Sequence, residues 1–170
     1  MKFLKIMLLV IGGIIVLLVI IFGIYLLINR QGVIEPSDIG APDAEKKVLI
    51  ASQGSKFKDT LVEELSGYLK DKEIYLKIAD VTTLKDVAES GWDAIILIHT
   101  TEKYELQPDV KAYLDRVDDY DRVILITTSG SGTWKTDEYD VDIITSASKQ
   151  NEIPGLTKDV IDWLDLMLVD

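Results

Sequence analysis

The chain has 170 residues, a formal net charge of −11, one histidine and no cysteine. The lack of cysteine excludes disulfides, thiolate catalysis and cysteine-ligated zinc or iron–sulfur centres, and a single histidine excludes a multi-histidine metal site. The acidic balance repels a phosphate backbone, so nucleic acid is not an expected partner. We predict neither a metal site nor a set of catalytic residues.

The first element is an apolar run at residues 6–29 that contains no charged residue. As a helix it spans roughly 36 Å, and the hydrocarbon core of a bilayer is about 30 Å thick. The run is longer than the apolar part of a signal peptide, and neither a small-residue cleavage pattern nor a lipoprotein cysteine follows it. We therefore predict a single-pass transmembrane anchor within residues 1–30.

The charges that flank this run bear on the side of the membrane on which the remainder lies. Lys2 and Lys5 precede the run and Arg30 follows it closely. Positive-inside counting then favours a cytoplasmic N-terminus and an extracytoplasmic domain. Lys46 and Lys47 lie near enough to reduce the contrast, so the side stays open.

Residues 31–46 combine two glycines, two prolines and scattered acids without hydrophobic periodicity. This composition is typical of an extended linker. The remaining residues, 47–170, are numerous enough to form one domain with a core of its own.

Strand and helix patterns alternate from residue 47 onward. Continuous apolar runs predict buried strands at 48–52, 94–98 and 123–127, and alternation predicts an edge strand at 74–79. A last strand is expected at 141–145. Helical spacing predicts helices at 61–69, 82–90, 110–117 and 156–168, the last with Thr157 as a candidate N-cap. The alternation predicts an α/β fold with a doubly wound parallel sheet.

Four stretches in succession resemble the flavodoxin-like family, and together they cover residues 47–168. KVLIASQGS resembles the first strand and phosphate loop, and GWDAIILIHTT resembles the lead into the third strand. ELQPDVKAYLDRV is similar to the segment after the first flavin loop, and DRVILITTSGSGTW resembles the fourth strand and second flavin loop. The resemblance implies strand order 2-1-3-4-5, with 74–79 at an edge.

The resemblance also implies FMN as a cofactor, whose phosphate would bind at the N-terminus of the first helix of the domain. Orphan N–H groups and the helix dipole favour an anion there. The residues implied at the phosphate are Ser52, Gln53, Gly54, Ser55, Lys56 and Thr60. An ordinary polar turn with Ser55 or Lys56 as a cap explains the same residues, and Phe57 replaces the expected polar residue or arginine.

Two further loops are implied at the flavin ring. The first contributes Thr100, Thr101 and Tyr104, and the second contributes Thr128, Ser129, Gly130 and Trp134. Glu102 occupies a position where the family often has an aromatic residue, and its charge opposes that of a reduced flavin.

The separation of 13 residues between Thr127 and Val141 is short for a helical crossover. The family's fourth helix is therefore expected to be missing, which would uncover part of one sheet face. Otherwise the last strand is the element that is lost.

Two functions follow from the resemblance. One is a membrane-tethered, FMN-binding electron-transfer module with a redox partner. The other is a flavin-free descendant of the fold that acts as an anchored protein-interaction module. No nicotinamide-binding motif is present, so a reductase has the least support, and His99 is expected to be a hydrogen-bonded residue at a strand end rather than a base.

Overall fold

The computed structural model describes residues 2–28 and 31–168. The chain divides into two units, Met1–Gln31 and Gly32–Asp170. The first unit contains helix α1 (Lys2–Ile28), and the span Lys2–Tyr25 is long and apolar enough to cross a membrane by length and composition. This agrees with the prediction of a spanning segment at residues 6–29, of which residue 29 lies outside the described residues.

The second unit is an α/β domain built on a six-stranded sheet. Its strands are β1 (Ser37–Ile39), β2 (Lys46–Ser52), β3 (Ile74–Asp80), β4 (Ala94–Thr100), β5 (Val123–Thr128) and β6 (Asp142–Ser146). Its helices are α2 (Lys56–Leu69), α3 (Pro108–Leu114) and α4 (Ile153–Leu168). Short 3-10 turns at Val81–Asp86 and Glu89–Gly91 replace the helix predicted at 82–90.

The sheet order is β1-β3-β2-β4-β5-β6. Strands β3, β2, β4, β5 and β6 are parallel, and β1 pairs antiparallel with β3. The order 2-1-3-4-5 predicted for the whole sheet is therefore not observed, because a sixth strand makes the sheet mixed. Counted without β1, the five parallel strands follow the order that flavodoxin-like sheets share.

The extra strand also corrects two local predictions. Residues 31–46 are not only a linker, since β1 lies within them and pairs Asp38 with Lys77 in register. Strand β3 is consequently an inner strand, although its alternating pattern predicted an edge. A three-residue strand is too short to show periodicity, so only the pairing reveals it.

Both faces of the sheet are buried, which explains the continuous apolar runs. Val48 and Ile50 of β2 face a cluster under α2 and α4, to which Leu61 and Val160 contribute. The alternate residue Leu49 faces a second cluster, which is covered by α3 and the first 3-10 turn. The sheet is thus doubly covered, as predicted.

The last helix begins one turn earlier than predicted. Helix α4 starts at Ile153, so Thr157 lies inside it and is not its N-cap. The Thr157 hydroxyl donates instead to Glu64 of α2 at 2.8 Å. The side chain of Thr157 therefore links two helices that cover the same sheet face.

Candidate functional site

The candidate site is the edge of the sheet at which the parallel strands end. In open α/β sheets ligands bind outside the carboxyl ends of the strands, where the strand order reverses. Here β2 has β3 on one side and β4 on the other, so the reversal falls at β2. The segments that follow β2, β4 and β5 carry the predicted site residues.

The turn between β2 and α2 is closed by its own polar groups. Ser55 is the N-cap of α2, and its hydroxyl accepts the Lys58 N–H at 3.4 Å. The carboxylate of Asp59 accepts the Ser55 N–H at 3.2 Å. The Thr60 hydroxyl donates to the Lys56 carbonyl at 2.9 Å, and the Ser52 hydroxyl donates to the Gln53 carbonyl at 3.0 Å. The cap prediction for Ser55 is confirmed, and these hydroxyls and N–H groups are paired within the turn.

A segment from before β1, residues 32–34, crosses this turn, and we call it the strap. The Gly32 N–H donates to the Gly54 carbonyl at 2.7 Å, and the Gly54 N–H donates to the Gly32 carbonyl at 2.8 Å. The Ile34 N–H donates to the Asp80 carboxylate at 2.9 Å. The strap therefore uses the glycine N–H of the turn in which a phosphate was predicted to bind.

The approach of the strap is close enough to require glycine. A Cβ on Gly54 would lie 2.9 Å from the Gly32 carbonyl carbon, which is shorter than real contacts of this kind. A Cβ on Gly32 would lie 3.5 Å from the Gly54 oxygen, an ordinary contact. Close backbone approach, rather than ligand binding, thus accounts for the glycine at position 54.

The polar residues at the ends of the central strands bind one another. The Gln53 side-chain oxygen accepts the Thr100 N–H at 2.7 Å, and the Thr100 and Thr128 hydroxyls lie 2.8 Å apart. The Thr128 hydroxyl also donates to the His99 carbonyl at 3.1 Å. The structure therefore brings together Gln53, Thr100 and Thr128, three of the predicted residues, in a connected network.

Two buried ionisable side chains adjoin this network. His99 is fully buried, and burial lowers its pKa to about 4. Its ring is therefore neutral at pH 7, with Nδ1 donating to the Thr100 carbonyl at 3.2 Å and Nε2 accepting the Thr127 hydroxyl at 3.1 Å. Burial also lowers the pKa of Lys58 to about 8, and its Nζ lies 3.5 Å from the Ser55 hydroxyl.

The loop after β4 presents an exposed aromatic ring on a tight turn. Glu102 and Glu105 pair across it, and the two residues between them have positive φ, 54° at Lys103 and 65° at Tyr104. The Tyr104 side chain is 83% exposed. The Thr101 N–H is bound to the Thr128 carbonyl at 2.9 Å. Non-glycine residues in this conformation carry strain and often mark functional turns.

The loop between β5 and β6, residues 129–141, contains no helix, as predicted. The loop covers this sheet face in place of a helix, because Trp134 and Tyr139 pack against the cluster under α3. The predicted uncovered face is therefore filled by aromatic side chains of the loop. Trp134 is half-buried there, whereas Tyr104 is exposed to solvent, and no ring contact joins the two within the part of the chain that the structure describes.

Hydrogen bonds at the start of this loop connect it to β6. The Ser129 N–H donates to the Ser146 carbonyl at 3.1 Å, and its hydroxyl accepts the Gly132 N–H at 3.0 Å. Gly132 has φ +70°, and a Cβ there would meet Ala147 N at 2.6 Å. Gly130 has open space around it. Ser129 and Gly132 thus shape the loop.

Sequence reasoning missed three residues at this edge. Asp80 is buried and binds the strap and the following turn, Lys58 is buried in the first turn of α2, and Gly32 pairs with Gly54. Aspartate is a preferred N-cap residue and Asp80 ends an apolar run, so Asp80 was recognisable as a candidate cap. No local pattern identifies the partner of Gly32.

Comparison with solved structures gives distant similarities, of which one is described here. No family model matches the chain, and no curated protein sequence matches it. The solved structure of general stress protein 14 from Treponema denticola in complex with FMN is similar over 72% of this chain and 99% of that chain. The identity is 14% and the TM-score is 0.41, so this similarity carries no inference about a ligand of this chain.

Proposed function

We propose that the chain is a membrane-tethered α/β domain of flavodoxin-like topology that acts as a flavin-free binding module. The observation that carries this proposal is the strap. Its Gly32 carbonyl occupies the Gly54 N–H that the phosphate of FMN would need. A ligand phosphate would have to displace both hydrogen bonds between these glycines before it reached that N–H group.

Electrostatics at the same turn support the proposal. Asp59 directs a carboxylate onto the Ser55 N–H at the N-terminus of α2. A carboxylate already satisfies the dipole and the orphan N–H there, so it competes with a phosphate and repels it. The net charge of −11 adds to the repulsion of a phosphorylated cofactor.

The tether rests on α1, which has the length and composition of a spanning helix. Anchoring suits a module that works on partners at a membrane surface. The charge count around α1 favours an extracytoplasmic domain, as set out above.

A second candidate function, FMN binding for electron transfer, is favoured by the exposed Tyr104 on its strained turn. An aromatic ring at the carboxyl edge of the sheet suits stacking on a flavin. FMN would then be held by Ser55, Thr100 and Thr128, with the strap displaced. The cofactor would supply the redox chemistry, and the protein would bind and orient it.

An FMN titration of the full chain in detergent micelles, followed by quenching of flavin fluorescence, separates the two candidates. The flavin-free module shows no saturable quenching at high micromolar FMN. The same titration with Gly32→Pro, which removes the Gly32 N–H, tests whether the strap alone blocks the site, and Gly32→Ala is the matched control. Saturable binding by the wild type would overturn the proposal, and binding by Gly32→Pro alone would identify the strap as the barrier.

A further inference from the structure

A second feature of the sheet lies away from its carboxyl edge, along the outer side of β6. Strand β6 pairs only with β5 among the described residues. It is five residues long, and its sequence DIITS contains no proline, lysine or glycine. Proline and lysine are among the devices that natural edge strands use against pairing with another chain, and β6 has neither; its one charged residue, Asp142, lies at the first position of the strand.

The direction of the β6 backbone groups follows from one hydrogen bond. The Ser129 N–H donates to the Ser146 carbonyl, so the backbone groups of Ser146 point toward β5. Backbone groups of successive strand residues point to opposite sides, and Ile144 therefore also points toward β5. The N–H and C=O groups of Ile143 and Thr145 point outward, where no strand pairs with them in the described structure.

The opposite edge of the sheet is different. Strand β1 has three residues, and its first two, Ser37 and Asp38, are exposed. A short edge strand with a charged side chain offers little for another strand to pair with. Of the two edge strands, β6 therefore offers the longer edge for pairing with a further strand.

Side chains around β6 indicate what kind of strand it accepts. Ile143 packs on one apolar cluster and Ile144 on the other, and both are half-buried, so a pairing strand would extend both faces of the core. Four exposed carboxylates precede or begin the strand, at Asp137, Glu138, Asp140 and Asp142. Of these, Glu138 is paired with Lys111, and Asp142 accepts the Trp163 indole N–H at 3.2 Å. A second copy of the chain would bring the same acids to the edge, which opposes self-pairing, whereas a basic segment is attracted.

We propose that the β6 edge binds an extended, basic segment of a partner protein by β-strand addition. The Ile143 and Thr145 backbone groups supply the hydrogen bonds, and the acids at 137–142 select a positively charged partner. This inference rests on the proposed binding function, names the surface that performs it, and is independent of the carboxyl edge of the sheet.

The test uses the full chain in detergent micelles and a labelled Lys/Val heptapeptide of alternating sequence, with binding followed by fluorescence anisotropy. Two control peptides separate the contribution of strand pairing to binding from that of charge. One is N-methylated at alternate amides, which keeps every charge and removes strand pairing, and the other has Glu in place of Lys. We expect saturable binding of the first peptide and at least tenfold weaker binding of both controls.

Protein variants locate the site. Thr145→Pro removes an outward N–H that no strand uses, which an edge strand tolerates, and should weaken binding at least tenfold. Thr145→Val keeps the N–H and should bind as the wild type does. Asp140→Asn should weaken binding a few-fold, while Glu63→Gln on the exposed face of α2 should not.

Amide exchange in the wild-type chain gives a readout that needs no variant. The Ile143 and Thr145 amides should exchange faster than the Ile144 amide in the free chain and become protected when the peptide binds. Equal binding of the N-methylated peptide, wild-type binding by folded Thr145→Pro, or no saturable binding would overturn the inference. So would a dimer of the chain that Thr145→Pro dissociates, since the occupant would then be a second copy.

The FMN titration on the same sample distinguishes a failure of the flavin-free function from a failure of the β6 inference. Tight FMN binding together with peptide binding would overturn the flavin-free function and leave the β6 site standing. Absence of both FMN and peptide binding would overturn the β6 site and leave the flavin-free function standing.

Discussion

The two halves of the carboxyl edge are closed by different kinds of contact. At the β2 half, the strap pairs its backbone with Gly54 and donates to Asp80. At the β5 half, the loop at 129–141 packs two aromatic side chains, Trp134 and Tyr139, onto the sheet face. Backbone pairing depends little on side-chain identity, whereas aromatic packing depends on it directly. The same edge therefore combines one closure made by backbone groups and one made by two aromatic side chains, and neither was predicted from the sequence.

The largest expected effect comes from two glycines that permit close approach, Gly132 in the β5 half and, for contrast, Gly40, which follows β1 and lies beside Ile74 at the start of β3. A Cβ on Gly40 (φ +83°) would lie 2.1 Å from the Ile74 carbonyl oxygen, and one on Gly132 would lie 2.6 Å from Ala147 N. Gly40→Ala should lower the free energy of unfolding by about 3 kcal/mol or more and Gly132→Ala by about 2 kcal/mol, from strained φ and displaced backbone. Urea unfolding followed by tryptophan fluorescence measures both.

The control for these substitutions is Gly67→Ala. Gly67 lies in α2 with nothing within 4 Å of its would-be Cβ, so the change should stabilise the helix by up to about 1 kcal/mol. Equal losses for Gly40→Ala and Gly67→Ala would contradict the close approach of the β1 segment to the sheet.

His99 sits between the halves, with Thr127 on one side and the charge of Lys58 on the other. Its pKa falls from 6.5 to about 4 on folding, so between these values the unfolded chain binds a proton that the folded chain does not. Stability should therefore fall as pH drops from 6.5 toward 4, by about 3 kcal/mol at about 1.4 kcal/mol per pKa unit.

The measurement is the free energy of unfolding as a function of pH for the wild type and for His99→Asn. His99 is the one histidine of the chain, so the difference between the two curves isolates its contribution from that of the carboxylates. Parallel curves between pH 6.5 and 4 would show that the His99 ring is accessible to protonation in the folded chain.

Removal of the strap's carboxylate partner tests the β2 half. Asp80 accepts the Ile34 N–H through one oxygen and the Thr82 N–H and hydroxyl through the other. Asp80→Ala leaves these donors without a partner and should cost about 2 kcal/mol. Thr82→Val removes one of the three bonds and should cost less. Faster amide exchange at Ile34 in Asp80→Ala than in Thr82→Val would locate the loss at the strap, and equal exchange would exclude it.

The smallest effect is expected in the β5 half. The Tyr139 hydroxyl donates to Asp115 at 2.5 Å and accepts from Lys111 at 3.1 Å, which joins the loop to α3. Tyr139→Phe keeps the ring packing and removes these bonds, at a cost of about 1 kcal/mol in urea unfolding. Tyr104→Phe is the matched control and should change nothing, because the Tyr104 side chain is 83% exposed. Equal effects would show that the hydroxyl of Tyr139 does not hold the loop.

Much of the fold was predictable because buried helices and strands show characteristic patterns of apolar residues in the sequence. The apolar runs at 48–52, 94–98 and 123–127 lie within β2, β4 and β5, and the helix predicted at 110–117 is α3, which begins two residues earlier at Pro108 and ends at Leu114. The short separation between β5 and β6 correctly predicted the absent helix. Strand β1 escaped prediction, because three residues bonded along one side to β3 leave no periodic pattern.

Sequence patterns predicted which residues lie at the candidate site better than they predicted how those residues contact one another. Gln53, Thr100 and Thr128 do meet at the strand ends, since parallel strands finish at one edge. Their mutual hydrogen bonds and the pairing of Gly54 with Gly32 depend on contacts between residues far apart in the chain. FMN binding by these residues stays a prediction, and the geometry of the turn favours the flavin-free alternative.

Local composition and spacing are enough to predict the long apolar helix, the buried strands and the acidic character. Contacts between distant parts of the folded chain establish that β1 joins the sheet, that the strap closes the turn before α2, and that β6 is left with an open edge. Those outcomes depend on which backbone groups find partners across the fold. Backbone groups are the same in every residue but proline, so the sequence leaves little trace of their pairing.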